Sequence, residues 1–448
     1  MSDALAGVPR AAAHCRVPSR GALAYTLGAL FALNTMNYVD RQLFGVTQEL
    51  VKRDVGLSDF QLGLVGGPAF AILYILAAFP IARLAERWNR VSIVSLAFGT
   101  WSVMTAFSGA ATSFVQLLVG RGGVSIGEAG CAPASHALIS DCFSPQQRTG
   151  AMSIFGAAGP IGALTAAIGG GLLAQRCGWR ATFFACGALG LAAAVLFRLT
   201  VHEPRHRADQ SVVGLRAALR VLLAKRSFLA VAAAGAFAGF ASYSNSQYMV
   251  SFLMRVHGLP VAVAGTAVGL ILGAVGIVMT LSTGALIEHG RRRFPRIRTW
   301  LPAGGLVWSG CIFALAYLAR PAPLAIGLLA AGSLGQHFYL PAMYTLAQDV
   351  APASMRATSA ALMISVVSLV GYGIGPPLIG LLSDTLSAAA MHTAGLDPRD
   401  CLPGSLGPCA LARARGLGLS MSAGSIMFIA GGLLFGISGR SIDRDMAR

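Results

Sequence analysis

Charged residues are scarce in this sequence. Only 11% of its 448 residues are charged, whereas a soluble domain carries roughly 25%. Acids are the rarer sign, with 17 Asp and Glu against 34 Lys and Arg. A hydrophobic content of 55%, spread along the whole length, excludes an ordinary soluble globular protein. The composition predicts a protein that crosses a membrane many times.

Signatures of the common catalytic classes are also missing. The sequence has no G-x-x-x-x-G-K-[ST] phosphate loop, which argues against ATP-driven transport, and no H-E-x-x-H or metal-spaced Cys/His cluster. Ser135 and His136 are adjacent, so on a helix their side chains point apart and cannot act as nucleophile and base. We therefore expect no enzymatic activity, no cofactor and no metal. The first apolar segment is also too long for a cleavable signal peptide.

Cysteine is used sparingly and has two interpretations. Five cysteines lie in or near apolar segments, where thiols serve as small packing residues: Cys131, Cys142, Cys177, Cys186 and Cys311. Cys401 and Cys409 instead share the connection 384–416. They can form a disulfide if that loop faces an oxidising compartment, but their spacing fits two free thiols equally well.

Long apolar runs are the main feature that is present. A spanning helix needs about 20 mainly apolar residues, and twelve runs meet that length. They lie near 22–50, 60–84, 91–111, 115–140, 150–174, 180–201, 227–253, 260–287, 300–319, 323–348, 357–382 and 417–438. We predict an all-α membrane protein with an N-terminal six-helix bundle (1–201), a cytoplasmic inter-domain loop (202–226) and a C-terminal six-helix bundle (227–448).

The basic residues are distributed unevenly between the connections. With both termini cytoplasmic, 23 Lys and Arg fall on the inside and 9 on the outside. The positive-inside rule therefore predicts that both termini are cytoplasmic. Because cytoplasmic loops account for the excess positive charge, nucleic acid is not an expected partner.

The two halves of the sequence repeat each other. The first half has Pro133, Asp141 and Arg148, and the second has Pro341, Asp349 and Arg356. Each Asp follows its Pro by 8 residues and each Arg by 15, at an offset of 208 between the copies. Two further matches keep the same order, and together they indicate a duplicated unit.

One of those matches carries a family resemblance. Between spans two and three the chain reads ARLAERWNR, with Leu84, Ala85, Glu86, Arg87 and Arg90 in the positions of a loop motif of the major facilitator superfamily. The second copy, after span eight, contains Glu288, Arg291 and Arg292. Two six-span halves with a binding site between them also describe that superfamily. The resemblance implies a secondary transporter whose halves rock around a central cavity.

A narrower resemblance is to the spinster branch of that superfamily. It rests on NYVDRQ from Asn37, on Asn89-Arg90, on RGGVSIGEA from Arg121, on SIFGAAGPIG in span five and on His202-Glu203-Pro204. The resemblance implies transport of an amphipathic, anionic, lysolipid-like substrate. For this chain it implies a bacterial inner-membrane protein, which we expect to be a monomer with membrane lipids and protons as partners.

Two acids, Asp40 and Glu128, and two bases, Arg41 and Arg121, lie deep in predicted spans. An ionisable group at mid-membrane is expensive, so each is a functional candidate. Arg121 and Glu128 are seven residues apart and share one helix face. The resemblance places spans one and four beside the cavity, where the four can meet as a proton-coupling group. The alternative is a static salt-bridge network that only joins the two spans.

Other polar residues receive roles by position or by resemblance. Substrate-cavity candidates are Asn37, Tyr38, Tyr243, Asn245, Gln247, Gln336, His337, Tyr339 and Tyr344. Cytoplasmic-gate candidates, which the resemblance implies, are Glu86, Arg87, Arg90, Asp141, Arg148, Glu288, Arg291, Arg292, Asp349 and Arg356. Candidate hinges interrupting spans five and eleven are Gly159, Pro160, Gly375 and Pro376.

These observations predict a proton-coupled secondary transporter of a lysolipid-like anion. Two alternatives stay open. One is proton-linked transport of a small organic anion or drug, and the other is a membrane receptor that keeps the fold without transporting.

Overall fold

The computed structural model describes residues 20–143, 145–201, 215–291, 294, 296–352, 355–401 and 406–446. Within these ranges the chain forms helices and connecting turns, with no β-strand. The first half forms α1 Arg20–Val55, α2 Asp59–Gly66, α3 Pro68–Arg87, α4 Arg90–Ala110, α5 Phe114–Cys142, α6 Pro145–Thr165 and α7 Gly171–Thr200. A π-helical turn, Ala166–Gly170, joins α6 to α7.

The second half repeats this pattern after one extra helix. Its helices are α8 Leu215–Leu223, α9 Arg226–His257, α10 Val261–Gly269, α11 Val275–Arg291, α12 Ile297–Leu318, α13 Ala322–Gln336, α14 Tyr339–Val350, α15 Arg356–Gly371, α16 Gly375–Thr393, α17 Pro408–Gly424 and α18 Ile426–Met446. A second π-helical turn, Leu270–Ala274, joins α10 to α11. The segment 202–226, predicted as a loop, thus contains α8, while 202–214 lies outside the described residues.

Local sequence explains why several spans consist of more than one helix. Gly67 separates α2 from α3, and Pro68 opens α3 at a position where a missing N–H does no harm. Gly178 has a φ of +81°, which only glycine adopts easily, and it turns the chain within α7 from one span into the next. Pro376 and Pro377 lie in the first turn of α16, as Pro68 does in α3.

Most of the spans are apolar enough to be recognised without other information. In the described part of the chain, eight helical segments could cross a membrane by length and composition alone. Neither α1 nor α5 is among them. These are the helices that carry Asp40, Arg41, Arg121 and Glu128.

The halves have separate apolar cores and meet along seams of small residues. One core gathers side chains of the first half around Phe98 and Trp101, and the largest one gathers mainly the second half around Phe252 and Phe313. Across the seam, a Cβ on Gly265 of α10 would lie 2.4 Å from the carbonyl oxygen of Ala167. Close approach of this kind is the usual means of packing helices in lipid.

Two further glycines continue that seam, Gly269 at the end of α10 and Gly273 in the π-helical turn that follows. A Cβ on Gly269 would lie 2.8 Å from the Cβ of Ala167, and a Cβ on Gly273 would lie 2.9 Å from the Cβ of Leu164. We call Gly265, Gly269 and Gly273 the glycine stripe. Along it, the second half touches the first through backbone rather than through interlocking side chains.

A polar seam joins α1 to α9 at one end of the bundle. This end, where α1 finishes at Val55, is called the Lys52 end, and the opposite one the Arg20 end. Gln48 Nε2 donates to the backbone carbonyl of Gln247 at 2.6 Å and to Ser251 Oγ at 3.0 Å. Ser246 Oγ donates to Gln42 Oε1 at 3.0 Å. The halves are therefore held together by hydrogen bonds at the Lys52 end.

Candidate functional site

The four charged side chains predicted to meet do lie together between α1 and α5. Arg41 Nε donates to Glu128 Oε2 at 2.5 Å, and Arg121 Nη1 donates to Asp40 Oδ2 at 3.2 Å. Thr105 of α4 donates its hydroxyl to Asp40 Oδ1 at 2.6 Å. Each arginine is thus paired with the acid of the other helix, and the four charges cancel.

The four groups differ in their access to solvent. The side chains of Asp40, Arg121 and Glu128 are at most 5% exposed, whereas that of Arg41 is 20% exposed. Glu128 also has one carboxylate oxygen, Oε1, with no hydrogen-bond partner among the described residues. Arg41 is therefore the charge that a ligand in the cavity can reach. Its partner Glu128 keeps one carboxylate oxygen that can accept a proton or a hydrogen bond.

Aromatic rings surround the Arg41 guanidinium. Its carbon lies 5.5 Å from the ring centre of Tyr38, 5.1 Å from that of Phe70 and 5.3 Å from that of Tyr74, all within cation–π range. From the other half, the rings of Tyr243 and Tyr372 contact each other, with centroids 3.7 Å apart and planes tilted by 33°.

Arg41, Phe70, Tyr243 and Tyr372 border a small cavity between the halves. Its lining is Arg41, Gln42, Phe44, Gly45, Gly66, Phe70, Arg121, Tyr243, Ser246, Gln247 and Tyr372. A site of this kind, with four aromatic rings and one accessible cation among polar side chains, suits an anion that has an apolar part.

The predicted cavity residues of the second half divide into two groups. Tyr243 and Gln247 line the cavity, and Gln247 Nε2 also donates across the halves to Gln48 Oε1 at 2.9 Å. Asn245 lies elsewhere, since it accepts a 2.9 Å hydrogen bond from Tyr317 within the second half.

The remaining predicted cavity residues lie on α1 or around the break between α13 and α14 in span ten. Tyr38 flanks Arg41, and Asn37 is buried beside Asp40 on α1. Gln336 ends α13 and His337 follows it, both directed to Ser333. Tyr339 is buried in α14 and Tyr344 is half-buried there. None of the four side chains near the break, those of Gln336, His337, Tyr339 and Tyr344, lines the cavity.

Few of the predicted cytoplasmic-gate side chains are described. Asp349 pairs with Arg298 of α12, whose Nη1 lies 2.9 Å from its Oδ2. Arg90 begins α4, directly after Asn89 caps that helix by accepting the N–H of Ser92. The others lie outside the described residues or side chains: Glu86, Arg87, Asp141, Arg148, Glu288, Arg291, Arg292 and Arg356. Their part in a gate stays a prediction.

The two candidate hinges have different geometries. Span eleven breaks at 372–374, directly before Gly375 and Pro376 open α16. Span five does not break at Gly159 and Pro160, because α6 continues through both to Thr165 and the irregular turn comes at Ala166–Gly170. Gly159 instead provides room for a ring, since a Cβ there would lie 3.2 Å from Cζ of Tyr38.

The structure also brings together charges that the sequence did not single out. Besides the two acids predicted to lie deep, Glu49 and Asp59 are buried, with 4% and 1% exposure, at the Lys52 end. Arg255 of α9 donates to Asp59 Oδ2 at 2.7 Å and to Glu49 Oε2 at 2.8 Å. Lys52 Nζ lies 2.5 Å from Asp59 Oδ1. These acids at a span border gave no signal, since Arg255, the base that joins Glu49 to Asp59, comes from the other half.

Cys401 and Cys409 form a disulfide in the connection between α16 and α17. The spacing had left this open, and the 5.5 Å separation of their Cα atoms is within the normal range for a bridge. Arg413 of α17 donates to the backbone carbonyl of Cys401, which ties the loop to that helix.

The profile of the Major Facilitator Superfamily matches residues 30–376 of the chain. The protein belongs to the major facilitator superfamily. The twelve-helix fold in two repeats is thereby confirmed, and the chain is an integral membrane transporter, not an enzyme.

The relatives within the superfamily include an efflux pump and spinster proteins. The chain is 34% identical over 364 residues to an MFS-type efflux pump of Mycolicibacterium smegmatis, covering 81% of this chain and 84% of that one. It is 29% identical over 394 residues to protein spinster homolog 1 of Mus musculus, covering 82% and 74%. It is 25% identical over 377 residues to a probable L-galactonate transporter of Escherichia coli, covering 80% and 82%.

Solved structures support the spinster resemblance. A bacterial homolog of the human lysosomal transporter spinster, in an inward-facing and unoccupied conformation, matches with a TM-score of 0.87 and 31% identity. The match covers 96% of this chain and 99% of that one. The inward-facing, occupied conformation of such a homolog matches equally well. The predicted resemblance to the spinster branch is confirmed.

Proposed function

We propose that this transporter couples protons to the movement of an amphipathic anion with a single lysolipid-like tail, by alternating access. The observation that carries the proposal is the arrangement of Arg41, which is paired with the buried Glu128 and exposed to an aromatic-lined cavity. The substrate class is the one implied by the resemblance to the spinster branch.

The mechanism follows from the charge balance of the two ion pairs. Protonation of Glu128 removes its attraction for Arg41 and leaves the group of four with one net positive charge. An anionic headgroup that contacts Arg41 restores neutrality, which matters in a site of low dielectric. Proton binding and anion binding therefore favour each other, and by linkage the effect is reciprocal. Asp40, held by Arg121 and Thr105, supplies a second acid that can take part.

We further propose that the described state faces the cytoplasm. The positive-inside pattern assigns the Arg20 end to the cytoplasm, in a bacterial inner membrane, and the Lys52 end to the outside. The Lys52 end is closed by contacts between the halves, and the similar solved structures are inward-facing.

Reconstitution tests the proposal. We expect a proteoliposome loaded with a pH dye to report proton flux when an anionic lysophospholipid is added. Affinity for that lipid should rise as pH falls. Glu128→Gln and Asp40→Asn should abolish the pH dependence and leave folding intact. Asp54→Asn is the matched control, since Asp54 forms a half-exposed pair with Arg180 away from the cavity. Unchanged pH dependence in both cavity variants would show that these acids do not carry the proton.

A small organic anion or drug is the second candidate substrate. It is favoured by the relatives named as an efflux pump and a probable L-galactonate transporter. A lysophospholipid, a sugar acid and a lipophilic drug can be compared in the same flux assay. Proton flux should rise to saturation only with increasing concentration of the preferred class, which separates the two candidate substrates.

A further inference from the structure

The cluster around Asp59 links the two halves through one carboxylate. Asp59 belongs to the first half, at the start of α2, and receives Arg255 and Ser383 from the second half. Ser383 Oγ donates to Asp59 Oδ2 at 2.6 Å. The hydroxyl of Tyr248, also from the second half, donates to the backbone carbonyl of Asp59 at 2.7 Å. Three side chains of one half thus converge on a single residue of the other.

A second carboxylate makes the opposite contact. Asp384 of α16 accepts the backbone N–H of Asp59 at 3.0 Å and that of Phe60 at 2.9 Å. These are the first two N–H groups of α2, so a side chain of one half caps a helix of the other half. A carboxylate is favourable there because a helix N-terminus carries partial positive charge.

The helix α2 does not depend on this cap for its own integrity. Ser58 and Gln61 form a capping box within the first half, in which Ser58 Oγ accepts the N–H of Gln61 and Gln61 Oε1 accepts the N–H of Ser58. The box satisfies N–H groups that Asp384 does not touch. When the halves part, α2 keeps its local cap, and water can replace Asp384 at the other two groups.

From these contacts we propose that Asp384 and Arg255 are the gate residues that hold the Lys52 end closed, and that they release α2 and Asp59 when the halves open at that end. The proposal rests on the alternating-access cycle proposed above. It assigns the closed state to contacts between halves, distinct from the proton-coupling group between α1 and α5 within the first half.

Hydrogen–deuterium exchange of the full-length protein in nanodiscs tests this gate without substrate or a proton gradient. In Asp384→Ala we expect faster exchange at the Lys52 end, in 51–66 and 246–258. We also expect slower exchange at the Arg20 end, in 88–96 and 339–352, because that end closes as the other opens. Because the cap is lost only in the closed state, the ratio of molecules open at the Lys52 end to closed ones should rise about fivefold. Asp384→Asn, which keeps one acceptor oxygen, should give the same pattern with a smaller amplitude.

The reciprocal change at the distant end separates a gate from a local cap. Faster exchange confined to 59–66, or no change, would overturn the proposal, and so would the reciprocal pattern in the control Asp54→Asn. Asp54 lies at the same end, but it pairs with Trp179 and Arg180 inside the first half. The exchange measurement needs neither a proton gradient nor substrate. Failure of the gate and failure of proton coupling in Glu128→Gln are therefore read from different experiments.

Discussion

Replacing Gly63 by alanine should open the Lys52 end. A Cβ on Gly63 would lie 2.6 Å from the carbonyl oxygen of Pro376 and 2.7 Å from Cα of Pro377. Both are backbone atoms at the proline-rich start of α16, so no side-chain rotation relieves the clash. Since carbon atoms pack at roughly 3.5–4.0 Å, α2 and α16 must separate by about 1 Å.

The magnitude follows from the usual penalty for overpacking. An added methylene in a tight interface costs about 1–3 kcal/mol, and here the penalty falls only on the state in which α2 touches α16. The ratio of open to closed molecules should therefore rise about 5- to 150-fold. Spin labels at Arg53 and Arg399, exposed residues of opposite halves, can report this by double electron–electron resonance in a background lacking the free cysteines.

The expected result is a larger population of long distances between the labels. Gly156→Ala is the matched control, because a Cβ at that helical glycine would meet nothing within 4 Å. A distance distribution for Gly63→Ala that equals the wild-type one would refute the reasoning, since α2 and α16 would then have adjusted without parting.

Three further outcomes are expected. Arg41→Ala should weaken binding of an anionic substrate by tenfold or more, on the order of the 1.5–3 kcal/mol of a hydrogen bond to a charged group, and leave an uncharged analogue unaffected in equilibrium binding. Arg298→Gln should change thermal stability by less than about 1 kcal/mol, because its pair with Asp349 is partly exposed; a larger loss would indicate a structural role. The bridge between Cys401 and Cys409 closes a loop with a sequence separation of 8. Reducing it should destabilise the folded loop by about 2.5 kcal/mol, because the unfolded loop regains conformational freedom. Faster amide exchange should stay confined to that loop, and an effect on the cavity helices would contradict this.

The features predicted best from sequence were those that repeat or that stand out against an apolar background. Asp40 and Glu128 are conspicuous because acids are rare in spans, and helix geometry alone put Arg121 on the face of Glu128. The resemblance then placed their helices side by side. What the sequence did not specify was the pairing, in which each arginine bonds the acid of the other helix.

The contacts between the halves could not be read from the sequence. Asp384 and Asp59 are 325 residues apart, and neither lies in a motif or a periodic pattern. Border charges such as Glu49 and Arg255 look like ordinary solvated loop residues until the fold brings them together. Gln247 shows the same limit: its polarity suggested a cavity residue, yet it also bonds Gln48 across the interface.

The glycine stripe bears on how this protein can vary. Gly265, Gly269 and Gly273 bring no side chain to the contact with Leu164 and Ala167, so one half can roll over the other without rotamer changes on the glycine side. Substitutions there would leave each half folded and the charged group untouched, yet they would slow the conformational change between the two states. Sequence drift along the stripe should therefore tune how fast the transporter turns over, while drift around Arg41 tunes what it selects.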